Sequence, residues 1–161
     1  MNYSDTSSSP KLDYEKAKDK ALRLLEFRSH SEKELCDKLR RAGAMDEDIE
    51  SILAFCRNYG FVNDREFARK KALDLKNLKK YGKQRIYQEL KVKGIGQEDI
   101  EFALSELDFD EEDTLYPLVE KKLRGNFEDK NIDKCIRYFI YRGYNISDIK
   151  RCIERIKTNE M

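Results

Sequence analysis

Apolar residues recur along this chain at the spacing of helical faces. Ala17, Ala21, Leu24 and Leu25 form a first set, at i, i+4, i+7 and i+8, which puts them on one side of an α-helix. That helix is expected from about Asp13 to Arg28. Ser31-Glu32-Lys33-Glu34 then reads as a capping box, in which the Ser31 hydroxyl accepts from the Glu34 amide and the Glu34 carboxylate reaches back to the Ser31 amide. It opens a second helix with Leu35, Leu39 and Ala42 inward, stopped by Gly43. A third helix runs from Asp46 towards Tyr59-Gly60, with Ile49, Ile52, Leu53 and Cys56 on one face. Asn63 caps a fourth, expected to continue to about Lys80 with Phe67, Ala68, Ala72, Leu75 and Leu78 inward, and to be broken by Gly82. A fifth carries Ile86 and Leu90 and ends at Gly94. The sixth begins near Gln97 with Ile100, Ala103, Leu104 and Leu107 inward. The seventh spans roughly Asp113 to Leu123, and Pro117 shifts its expected start towards Tyr116, because proline is tolerated in a first turn. The eighth runs from about Lys130 to Arg142. The ninth runs from about Ser147 to Lys157, and the last residues are expected to fray.

These helices repeat in threes. Gly43, Gly94 and Gly143 each precede an aspartate by five residues (Asp48, Asp99, Asp148), and each aspartate precedes an isoleucine. The apolar positions that follow keep one spacing: 49/52/53/56, 100/103/104/107 and 149/152/153/156. Upstream, Leu35 and Leu39 match Ile86 and Leu90, then Cys135 and Phe139. Three copies in register indicate tandem three-helix units that share core. The expected boundaries are a flexible tail over 1–12 and repeats over 13–62, 63–108 and 109–161. The fold class is all-α, an array of three three-helix repeats. In each repeat the glycine turns the second helix into the third. The aspartate complements the helix dipole by roughly 0.3–1 kcal/mol.

Composition adds charge to this picture. Of 161 residues, 40% are charged and 39% apolar, yet the net charge is only +1. The average conceals three blocks. Residues 65–93 hold 11 Lys/Arg against 3 Asp/Glu, residues 96–120 hold 10 acids and no Lys/Arg, and residues 121–157 hold 11 basic and 5 acidic residues. The first basic block is the candidate contact surface, with Arg69, Lys70, Lys79, Lys80, Lys83, Arg85, Lys91 and Lys93 as its partner-binding residues. Such a surface complements phosphates or an acidic protein groove. Tyr81 and Tyr87 offer stacking planes as in single-strand binders. The competing reading is a solvated helix face, disfavoured by the scarcity of local acids. Pairing of the acidic block with the basic one, as Glu101 with Lys83, is a further expectation.

Other chemistry is poorly supported. The acidic run lacks the spacing and glycine of a calcium loop. The cysteines at 36, 56, 135 and 152 form no CxxC pair and fall on core positions of the repeat, as reduced thiols do. The single histidine, His30, has no second histidine for a triad or zinc site, and no P-loop, nucleophile elbow or dinucleotide fingerprint is present. No metal, cofactor or catalytic residue is expected. No apolar run suggests a membrane span or signal peptide.

The sequence resembles the RecX family of bacterial recombinase modulators. The resemblance is carried by Ala21-Leu22-Arg23-Leu24-Leu25 through Ser31-Glu32-Lys33-Glu34-Leu35, by Gly60-Phe61-Val62-Asn63-Asp64 with Phe67-Ala68, by Tyr81-Gly82-Lys83-Gln84-Arg85-Ile86 with Glu89-Leu90 and Lys93-Gly94-Ile95, and by Tyr141-Arg142-Gly143-Tyr144. It covers about Lys16 to Ile156. It implies an elongated, curved, all-helical, cytoplasmic and non-enzymatic regulator, taken here as a monomer. Such a regulator binds the RecA recombinase, lodges along the groove of the RecA–DNA filament, and inhibits ATP hydrolysis, strand exchange and co-protease activity. Its setting would be recombination, DNA repair and the SOS response, with single- or double-stranded DNA as a further contact. The alternative is a stand-alone nucleic-acid-binding module that uses each third helix as a recognition helix. The acids on those helices, Glu47, Glu50, Glu98 and Glu101, argue against groove insertion.

Overall fold

The computed structural model describes residues 11–161, apart from the side chains of 111–113. The tail expected over 1–12 lies outside it except for its last two residues. The second of these, Leu12, is held in place: its amide donates to the Gly43 carbonyl at 3.1 Å, and it bridges to Ala44 and packs on the first core.

Among the described residues nine helices follow one another: α1 (Tyr14–Phe27), α2 (Glu32–Arg41), α3 (Asp46–Asn58), α4 (Asp64–Asn77), α5 (Lys83–Val92), α6 (Gln97–Ser105), α7 (Glu111–Leu123), α8 (Asp129–Tyr141) and α9 (Ile146–Glu160). None of them is long and apolar enough to cross a membrane. The chain divides into two compact units. One comprises residues up to Phe67 together with Lys93–Ile95; the other comprises Ala68–Val92 and Gly96–Met161.

In the first unit α1, α2 and α3 pack against one another. Ala17, Ala21, Leu35, Leu39, Ile49, Ile52 and Cys56 are buried, and Leu24, Leu25 and Leu53 are half-buried against them. The third group repeats this arrangement in the second unit. There α7, α8 and α9 bury Leu115, Val119, Leu123, Cys135, Phe139, Ile149, Cys152, Ile153 and Ile156. On the middle helices Ala68, Ala72, Leu75, Ile86, Leu90, Ile100, Ala103 and Leu104 are buried, while Leu107, expected on the sixth helix, lies just past its end and is half-buried. The glycines behave as the repeat requires: Gly43, Gly94 and Gly143 have φ of 97°, 79° and 98°, a region that glycine enters without penalty. Each lets a second helix turn sharply into a third. Asp48, Asp99 and Asp148 all lie in the first turns of those third helices. Cys56, Cys135 and Cys152 are buried and Cys36 is half-buried, and burial pushes the Cys135 thiol up to about 11, so it stays protonated at neutral pH.

Four local expectations change. α4 ends at Asn77, short of Lys80, and Leu78 is 76% exposed. α7 begins at Glu111 and carries Pro117 in its interior. Its start is set earlier by the Asp110 carbonyl, which accepts from the Thr114 amide at 3.0 Å, and Pro117 is exposed, so its ring meets solvent rather than core. α9 continues to Glu160 instead of fraying after Lys157, with the Asn159 side chain donating to the Tyr116 hydroxyl at 3.0 Å. At Ser31 only half of the capping box forms: its hydroxyl accepts from the Glu34 amide at 3.2 Å, but the Glu34 carboxylate turns to Arg28 and Lys93.

Candidate partner-binding site

The basic block centres on the turn between α4 and α5. Helical bonding fades there because other groups take its backbone. The Leu78 amide still reaches Asp74 at 2.8 Å, but Tyr81 bonds back to Leu75 at 3.2 Å and Lys80 adopts φ 57°. The Arg142 guanidinium donates to the Lys79 carbonyl, and the Tyr144 hydroxyl donates to the Lys80 carbonyl at 2.8 Å. Burial pushes the Tyr144 phenol up to about 12, so it remains a donor throughout the neutral range. Two side chains of the third repeat therefore clamp the peptide units whose side chains, Lys79 and Lys80, are exposed.

The same joint continues into α5. The Gly82 amide donates to the Arg142 carbonyl at 2.8 Å and the Gln84 amide to the Gly143 carbonyl at 3.1 Å. Amides of an opening helix turn, which lack intrahelical acceptors, are thus satisfied by the carbonyls of a closing one. Around them stands a ladder of rings and cations. The Arg85 guanidinium lies 4.7 Å from the Tyr141 centroid and 5.0 Å from that of Tyr81; Arg142 lies 5.0 Å from Tyr81 and 5.4 Å from Tyr138. Each such contact draws the cation to the negative face of the ring, the more strongly the better water is excluded from it.

These contacts sort the sequence-derived residues. Lys79, Lys80 and Lys83 come together on the exposed turn and the start of α5, and among the described residues none of the three ammonium groups pairs with a carboxylate. Lys91 is exposed at the far end of α5. Arg69 and Lys70 are exposed on α4, and both take part in interactions of their own. Arg85 is half-buried, bonded to Glu89 at 2.9 Å and to the Tyr141 carbonyl at 3.3 Å. Tyr81 presents no free plane to a base, since both arginines cover its ring. The expected Glu101–Lys83 pair does not form; Glu101 accepts from Gln97, one turn earlier on its own helix, at 2.8 Å.

Lys93 belongs to the other unit, where the Lys93–Ile95 turn packs beside the start of α2. The Ser31 hydroxyl donates to the Lys93 carbonyl at 2.7 Å, and the Lys93 ammonium lies 3.1 Å from the Glu34 carboxylate, which also receives Arg28 at 2.8 Å. Burial raises the Glu34 pKa, but the bonds from Arg28 and Lys93 outweigh it and hold the carboxyl below its ordinary value. Beside it His30 is 2% exposed. Its Nδ1 donates to the Arg28 carbonyl at 2.9 Å and its Nε2 accepts from Lys38 at 2.8 Å, an arrangement that requires a neutral ring. Burial, with Arg28 and Lys38 nearby, lowers its pKa. Below about pH 6.5 the unfolded chain takes up a proton that the folded chain refuses, so stability falls on acidification, by at most about 1.4 kcal/mol per pH unit. Urea midpoints should drop between about pH 6.5 and the lowered folded value. His30→Gln should flatten that drop, since the chain has one histidine. An unchanged slope in the variant would remove His30 as its cause.

What sequence reasoning missed here is Tyr138, Tyr141, Arg142 and Tyr144. The Tyr-Arg-Gly-Tyr run was visible, but its contact with Tyr81–Arg85, nearly sixty residues away, had no local signal.

Residues 17–56 match the first three-helix domain of RecX and residues 63–104 match the second. The chain is 38% identical over 148 residues to the regulatory protein RecX of Clostridioides difficile (strain 630), a match covering 89% of this chain and 69% of that one. It is 33% identical over 152 residues to the regulatory protein RecX of Salmonella paratyphi C (strain RKS4594), covering 86% and 90%. The crystal structure of RecX from Lactobacillus salivarius superposes with a TM-score of 0.77 over 90% of this chain and 97% of its own at 21% identity, a likeness of fold. A second crystal structure of a regulatory protein RecX gives 0.74 over 88% and 73% at 24% identity. With both domain matches in the order of its repeats, and relatives above 30% identity over most of its length, the chain belongs to the RecX family of regulatory proteins.

Proposed function

We propose that this protein is a non-enzymatic, cytoplasmic regulator that binds the RecA recombinase in its DNA filament and inhibits ATP hydrolysis, strand exchange and co-protease activity. The observation that carries this reading is the exposed Lys79–Lys80–Lys83 group on a turn clamped from the third repeat. A fixed cationic edge with no carboxylate partner among the described residues complements phosphates or an acidic protein groove. Arg69, Lys70 and Lys91 extend the edge along α4 and α5; Arg85 supports its scaffold, and Lys93 is held by Glu34 in the first unit. The Tyr81 plane is occupied by Arg85 and Arg142, and the first turns of α3 and α6 are acidic, which favours a protein–filament target over a stand-alone DNA reader.

The test is DNA-dependent ATP hydrolysis by RecA of the same organism, titrated with this protein. Inhibition is expected at concentrations far below those that coat the DNA. Inhibition that begins only when the protein saturates naked DNA would transfer the reading to nucleic-acid binding.

A further inference from the structure

A cavity of about 720 Å³ in the third repeat is lined by Lys80, Lys121, Lys122, Arg124, Lys134 and Arg142, and no carboxylate lines it. Among the described residues none of these six cations pairs with a carboxylate. Glu160 reaches the neighbouring Gly125 position but is not part of the lining. Six like charges around one concavity repel one another; the Tyr138 ring compensates Lys122 and Arg142 in part and the Lys79 carbonyl receives Arg142, but no carboxylate on these walls neutralises any of the six.

The backbone points to the same place. Among the described residues two non-glycine positions have positive φ, Lys80 at 57° and Arg124 at 53°, and both line this cavity. Glycine or asparagine would hold such turns more easily. Strained residues gather where a side chain is needed in place. At the Arg124 turn two carbonyls are covered by one side chain. The Leu123 carbonyl at the end of α7, which would repel negative charge, receives the Asn131 amide at 3.3 Å, and the Asn126 carbonyl receives it at 2.7 Å.

The walls also define the ligand. They present ammonium and guanidinium donors and few free acceptors. The ring of Tyr138 is taken by Lys122 at 4.1 Å and Arg142 at 5.4 Å, which leaves no plane for a base. A lone carboxylate would neutralise a small part of the charge. We propose that this cavity binds a run of closely spaced phosphates, read by charge alone, as in the tail of a nucleoside triphosphate or along a nucleic-acid strand. This inference does not depend on RecA binding, and Lys121, Arg124 and Lys134 lie outside the surface proposed for it.

The test is calorimetric titration and thermal melting of the full chain at constant ionic strength, with tripolyphosphate, ATP and a short thymidine oligonucleotide as probes and sulfate as the control. Tripolyphosphate should bind one to one and raise the melting temperature, and sulfate should not. Lys121→Gln with Lys134→Gln should weaken binding roughly tenfold or more. Arg124→Gly should also weaken it while raising the melting temperature of the unliganded protein, because it relieves both the turn and the repulsion; a merely structural arginine would lower it. ATP binding like tripolyphosphate would identify a free nucleotide as the source, and binding by the oligonucleotide alone, lost in the same variants, would identify a strand. No binding by any of the three probes, or binding that the variants leave intact, overturns the proposal.

Discussion

Gly143→Ala should unfold this protein far more readily than Gly60→Ala. Gly143 has φ 98°, and a Cβ there would stand 2.3 Å from the Arg85 amide nitrogen and 2.4 Å from the Arg85 Cβ. Neither neighbour can withdraw cheaply. The Gly143 carbonyl accepts from Gln84 at 3.1 Å and the Arg142 carbonyl from Gly82 at 2.8 Å, so moving the turn breaks the bonds that satisfy the opening of α5. Gly82 faces the same contact, 2.6 Å from the Gly143 carbonyl carbon if given a Cβ. Left-handed strain of about 1 kcal/mol and overpacking of about 1–3 kcal/mol act together, so the loss should be roughly 2–4 kcal/mol. At this size that lowers the melting temperature by roughly 5–15 °C. Gly60→Ala is the matched control: its φ is 72° but no atom lies within 4 Å of the added methyl, so it should show the strain alone, about 1 kcal/mol. Equal losses at the two positions in urea unfolding would mean that the close approach does not exist.

This pair of glycines shows what the sequence could and could not disclose. The repeat marked Gly143 through its register with Gly43 and Gly94, and that register carried the helix order, the turns and nearly the whole apolar interior. Such features follow from spacing within a few turns of chain, which a sequence displays directly. The role of Gly82 was not legible, because what it meets comes from residues sixty positions later. The same holds for the end of α4. Periodicity alone would carry it to Lys80, but Arg142 and Tyr144 claim the carbonyls of Lys79 and Lys80. Charge was legible by block and not by residue. Composition placed Arg85 and Lys93 beside Lys83 as equivalent cations; the folded chain gives Arg85 to Glu89 and two tyrosines and gives Lys93 to Glu34. Glu34 in turn was read as half of a capping box because the local pattern fits one, whereas tertiary cations offered its carboxylate stronger, charge-assisted partners.

That division decides how the proposed binding edge should be tested. Lys79→Glu, Lys80→Glu and Lys83→Glu combined should abolish inhibition of RecA ATP hydrolysis, raising the concentration needed by roughly a hundredfold or more, since each reversal at a complementary surface removes an attraction and adds a repulsion of about 1 kcal/mol in total. Folding should be unaffected. All three side chains are exposed, and the joint is held through the carbonyls of Lys79 and Lys80, which the substitutions retain. Arg85 and Lys93 are left intact because changing them would confuse binding with stability: Lys93→Glu would set a second carboxylate against Glu34, now 3.1 Å from an ammonium, and should lower the urea midpoint by itself. Wild-type inhibition by the triple variant, with normal circular dichroism and melting, would exclude this edge from the contact with RecA. Loss of inhibition accompanied by unfolding would contradict the assignment of these side chains to the surface rather than the scaffold. The informative result is the separation of the two, inhibition lost and the fold retained, and it is expected because the third repeat fixes the backbone of this turn while leaving its ammonium groups to a partner.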